Sequence, residues 1–76
     1  MTNKHEQQQK FFFNVDNNRL YRITNNKYIH VWLCSKLMWS RCATEIHEVY
    51  NAHYAGRYIL VNETSLNYYK EKGLQQ

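Results

Sequence analysis

Three short β-prone runs, separated by turns built from asparagine, occupy the first half of the chain. Lys10–Val15 alternates, with Phe11, Phe13 and Val15 on one side of an extended backbone and Phe12 and Asn14 on the other. Arg19–Ile23 forms a second run. Tyr28–Leu33 forms a third, with Ile29, Val31 and Leu33 on one face and Tyr28, His30 and Trp32 on the other. Between them lie Asp16-Asn17-Asn18 and Thr24-Asn25-Asn26. Asn and Asp tolerate left-handed backbone and hydrogen-bond locally, so such triplets reverse the chain tightly. Short runs joined by tight turns predict an antiparallel meander.

The periodicity then changes. Trp39, Cys42, Ala43, Ile46, Val49, Tyr50 and His53 recur at spacings of three and four, which predicts an amphipathic central helix over 35–55. Ser35 is the expected N-cap, with Ser40 as a later alternative, and Gly56 the expected stop. Arg57–Val61 returns to a β pattern. Asn62 is placed to cap a short final helix over 63–72, ended by Gly73, with Leu66 and Tyr69 facing the core. The expected fold is α+β: an antiparallel meander of three to four strands, packed on one face by a central helix and a short C-terminal helix.

Length sets the domain count. Seventy-six residues make one domain, read here as a flexible arm at 1–9 followed by a single unit over 10–76. So small a chain builds a marginal core, which its 16% aromatic content helps to fill and homodimerisation would supplement. Met1 to Lys10 is polar, and Phe11–Phe13 is too short to be the apolar centre of an export signal. No apolar run approaches spanning length, so no membrane is expected. The expected location is the cytoplasm, with Cys34 and Cys42 as reduced thiols; a disulfide between them is the lesser alternative.

Neither catalysis nor a metal or other cofactor is expected. Seven residues separate the two cysteines and five separate His47 from His53, whereas structural zinc favours closely spaced pairs. Glu45 and Glu48 read as a solvated stripe. The two glycines lie 17 residues apart and form no phosphate loop. No spacing selects a small nuclease or toxin using Arg22, Tyr28 and His30.

Charge is the remaining signal. Residues 1–41 carry seven Lys/Arg against Glu6 and Asp16, a balance of +5, while residues 42–76 balance at −1. The basic half also holds Tyr21, Tyr28, Trp32 and Trp39. Interleaved cations and aromatics describe a binding surface, and the candidate residues are Arg19, Arg22, Lys27, Tyr28, His30 and Trp32. Two partners compete. A protein with an acidic surface would use Tyr28 and Trp32 as anchors, as in the small regulators or inhibitors that phages and plasmids encode. Nucleic acid would place phosphates on Arg19, Arg22 and Lys27 and stack bases on Tyr28 and Trp32. A net charge of +4 is mild for a dedicated nucleic-acid binder, so the protein partner is the preferred reading.

One segment resembles a known family. Val61-Asn62-Glu63-Thr64-Ser65-Leu66-Asn67-Tyr68-Tyr69-Lys70-Glu71-Lys72-Gly73-Leu74 is similar to the recognition-helix segment of MerR-type regulators. Those segments read as a valine, a capping residue, a leucine, paired aromatics and a closing Gly-Leu. The resemblance implies that the helix after Asn62 is a major-groove reader. Asn67 stands where a basic residue is usual, and Leu60 where a glycine precedes the valine.

Overall fold

The structure, a computed structural model, describes residues 8–72. It is an α+β fold with one five-stranded antiparallel sheet and two helices. The strands are β1 (Gln9–Asn14), β2 (Arg19–Thr24), β3 (Tyr28–Leu33), β4 (Met38–Arg41) and β5 (Tyr58–Val61). Helix α1 (Ile46–Tyr54) lies between β4 and β5, and α2 (Leu66–Lys72) follows a 3-10 turn at Glu63–Ser65. Strand order is β4-β3-β2-β1-β5.

Asparagine builds the turns as its chemistry predicts. Asn14 Oδ1 accepts from the Asp16 amide at 2.9 Å and Asn17 Oδ1 from the Arg19 amide at 3.0 Å. Asn25 and Asn26 both adopt positive φ, 56° and 54°, and the Lys27 amide donates to the Thr24 carbonyl at 3.1 Å. That is a type I′ reversal, whose twist matches the strands it joins. Gln8 is tied to this turn, its amide donating to Asn25 Oδ1 at 3.1 Å. The rest of the expected arm, residues 1–7, lies outside the described residues, as does the expected Gly73 stop.

The expected helix over 35–55 is corrected. Its first part is β4, and α1 begins only after Glu45. Leu37 sits at φ 53° in the turn after β3, which ends any helical path there. Met38–Arg41 then pairs with β3 through Trp32↔Trp39 and His30↔Arg41. Neither Ser35 nor Ser40 caps a helix, and Glu45 precedes α1 without a side-chain cap bond. The stop is as expected: Gly56 follows the helix at φ 84°. Asn62 also caps as expected, its Oδ1 accepting from the Ser65 amide at 3.3 Å.

The helices also do not share one face. Phe12, Tyr21, Ile23 and Ile29 pack with Val49 of α1 on one side of the sheet. Phe11, Phe13, Leu20 and Val61 pack with Leu66 and Tyr69 on the other. Phe11, Phe12 and Phe13 are 5%, 1% and 2% exposed. Three consecutive buried residues in a strand require cover on both faces, because neighbours point to opposite sides. Val15, read as sharing a side with Phe11 and Phe13, lies past the end of β1 and is exposed. Among the described residues no helix is long and apolar enough to cross a membrane.

Candidate binding face

Strand alternation and register place a row of two arginines and a histidine across the α2 side of the sheet. Arg22 of β2 lies opposite His30 of β3, which lies opposite Arg41 of β4. The parallel row, two residues along, brings Trp32 beside Trp39, with ring centroids 5.2 Å apart in an edge-on arrangement. The rows are laced together. The Arg22 guanidinium lies 4.8 Å from the Trp39 centroid and that of Arg41 5.0 Å from Tyr28. Lys27 reaches the Tyr28 ring at 5.3 Å. From α2, Lys70 stands 4.4 Å from the Trp32 centroid and 5.7 Å from Trp39. Each of these is within cation–π range. Cys34 fixes the helix end over the rings, its thiol donating to the Lys70 carbonyl at 3.3 Å.

The face is short of acceptors. Arg22 Nε and His30 Nδ1 are buried without a hydrogen-bond partner among the described residues. Burial, and then the charges of Arg22 and Arg41, hold the His30 imidazole below its ordinary pKa of 6.5. The one close contact between a carboxylate and a basic side chain among the described residues is elsewhere, between Glu45 and His47 at 3.2 Å. Two arginines flanking a histidine, with no carboxylate meeting them among the described residues, favour an incoming anionic group.

The sequence-predicted residues divide. Arg22, Tyr28, His30 and Trp32 do share a face, with Lys27 at its margin. Arg19 does not join them: it alternates with Leu20 and so lies on the side of Tyr21 and Ile23, opposite Asn14. Trp32, placed on the strand face away from Ile29, Val31 and Leu33 and open to either exposure or burial on sequence grounds, is half-buried under α2. Arg41, Trp39 and Lys70 were not foreseen. The signal for the first two was the alternation Trp39-Ser40-Arg41, which repeats the His30-Val31-Trp32 pattern in reverse order. Lys70 follows only from the position of α2.

The remaining side-chain clusters are sparse. Among the described residues no group of three His, Cys, Asp or Glu converges as metal ligands. Cys34 and Cys42 are both free, the second within 3.2 Å of Thr44 Oγ1. In the MerR-like segment, Leu66 and Tyr69 pack on the sheet, while the outward residues of α2 include Asn67, Tyr68 and Glu71. No protein family, curated protein or solved structure matches this chain.

Proposed function

We propose that this protein is a non-catalytic binding module of the cytoplasm that docks an acidic segment of a partner protein, in the manner of a small regulator or inhibitor. The observation that carries the reading is the cross-strand row Arg22, His30 and Arg41, in which Arg22 Nε and His30 Nδ1 are buried without a partner among the described residues. Half-buried tryptophans beside the row supply the apolar contact that anchors protein interfaces.

Nucleic acid is the second reading. Tyr28, 38% exposed and flanked by Lys27 and Arg41, favours it as a stacking platform beside two cations. Two observations weigh against it. The tryptophan rings are already occupied by Lys70 and Arg22. The outward side of α2 carries Glu71 and no free arginine, which suits a groove-reading helix poorly.

Parallel titrations separate the two. A glutamate-rich peptide should bind in a salt-sensitive manner, and Arg41→Ala should weaken it by about fivefold, the scale of one partly exposed ion pair. Mixed-sequence single- and double-stranded oligonucleotides should not bind at physiological salt. Binding of the oligonucleotides alone, with a slope of about −0.7 to −0.9 per phosphate contact, would reverse the assignment.

A further inference from the structure

The sheet ends in two edge strands that are finished differently. At β5, the Val15 amide donates to the Arg57 carbonyl at 3.0 Å. Antiparallel alternation therefore turns the backbone groups of Tyr58 and Leu60 outward. The Tyr58 carbonyl is met there by His53 Nδ1 at 2.9 Å, so α1 closes part of that edge. At β4, the Cys42 amide donates to the Ile29 carbonyl at 2.9 Å, and the same alternation turns the groups of Trp39 and Arg41 outward. Among the described residues no strand or side chain meets them. Open edges are pairing sites, and proteins restrict what pairs by keeping them short and charged. Strand β4 has four residues, ends on Arg41 and follows Lys36.

We propose that the acidic segment docks as an added strand along β4, extending the sheet at its open edge. The inference rests on the docking reading above and adds its geometry. A residue opposite Arg41 would continue the row Arg22, His30, Arg41, so a carboxylate there meets the Arg41 guanidinium at the end of that row. Two positions along the same face, a residue opposite Trp39 meets an aromatic surface and is apolar. The far face of the added strand lies over Ser40 and the half-exposed Met38. The segment is therefore extended, with an acidic residue two positions from an apolar one. A second copy fits poorly, because two β4 edges side by side bring Lys36 and Arg41 of each chain into like-charge proximity.

The test uses the full chain and a short capped peptide in which Thr alternates with Glu and Phe, together with two N-methylated forms. In one form the methyl groups replace the N–H groups turned toward β4; in the other they replace those turned to solvent. The expected result is slowed exchange of the Trp39 and Arg41 amides on peptide binding. Methylation in the inward register should lower affinity roughly tenfold or more and in the outward register hardly at all. Salt-sensitive binding with equal affinity for both methylated forms would overturn strand addition and leave the docking reading in place. No binding of the unmethylated peptide at millimolar concentration would overturn both. Protection of the same amides without peptide, growing with protein concentration, would give the edge to a second copy and overturn the proposal.

Discussion

His30 concentrates the electrostatics of the face in a single imidazole. Its pKa is held down by burial and by Arg22 and Arg41, so the folded state resists a proton that the unfolded chain accepts near pH 6.5. Stability from this residue is present above that pH and is lost as pH falls through the window below it. A His30→Gln variant should show a flatter decline of unfolding free energy between neutral pH and about pH 5. An unchanged profile would mean that His30 is not the group titrating. A docked carboxylate favours the imidazolium, so binding should take up a proton, seen calorimetrically as a heat that depends on buffer ionisation. Tyr21 gives the opposite window. Burial, followed by Tyr58, pushes its phenol from 10.0 up to about 12. Its ring stacks on Tyr58 at 5.4 Å with planes 7° apart. The contribution is complete below pH 10 and is lost as pH rises toward 12. Tyr21→Phe should therefore blunt alkaline destabilisation.

At the scale of elements, helix ends and strand edges carry the sharpest expectations. Gly56 terminates α1 at φ 84°, and a Cβ there would meet nothing within 4 Å. Gly56→Ala should still cost about 1 kcal/mol in thermal or denaturant unfolding, through backbone conformation alone. Gly56→Asn, which tolerates left-handed φ better, should cost less. Two equal losses would point to side-chain crowding instead. The elements differ in how legible they were. β1, β2, β3 and β5 were readable because alternation and asparagine turns agree over their length, as was the Asn62 cap. β4 was not. Four residues, Met38–Arg41, are too few to separate alternation from spacings of three and four, and Trp39 fitted both patterns. Its strand identity comes from partners distant in sequence: Trp32 opposite, Arg22 above and Phe11 at 6.0 Å. The same gap hid Arg41 and Trp39 from the candidate face, whereas Arg19 is off that face by parity alone, three residues from Arg22 in β2.

The whole molecule is a thin sheet made stable by cover on both sides. Phe11-Phe12-Phe13 records that architecture in the sequence, although alternation alone placed both helices on one side. Phe12, 1% exposed, packs edge-on against Tyr50 at 5.7 Å and His53 at 5.3 Å of α1. Phe12→Ala should cost roughly 3–5 kcal/mol, a large share of what a domain this small possesses. An unfolding midpoint near that of the unaltered protein would contradict the two-layer core. Cover by α2 also orders the candidate face, since Lys70 lies over Trp32 and Trp39 beside the row Arg22, His30 and Arg41.

The central claim is that this face, on the β2–β4 half of the sheet, receives an acidic protein segment. The most direct measurement is residue-by-residue mapping of backbone and side-chain NMR shifts during titration with a glutamate-rich peptide. The account predicts saturable changes at Arg22, His30, Trp39 and Arg41, reversed by salt, with Arg19 and α1 undisturbed. Changes centred on Arg19, α1 or β5, or none at all, would contradict it.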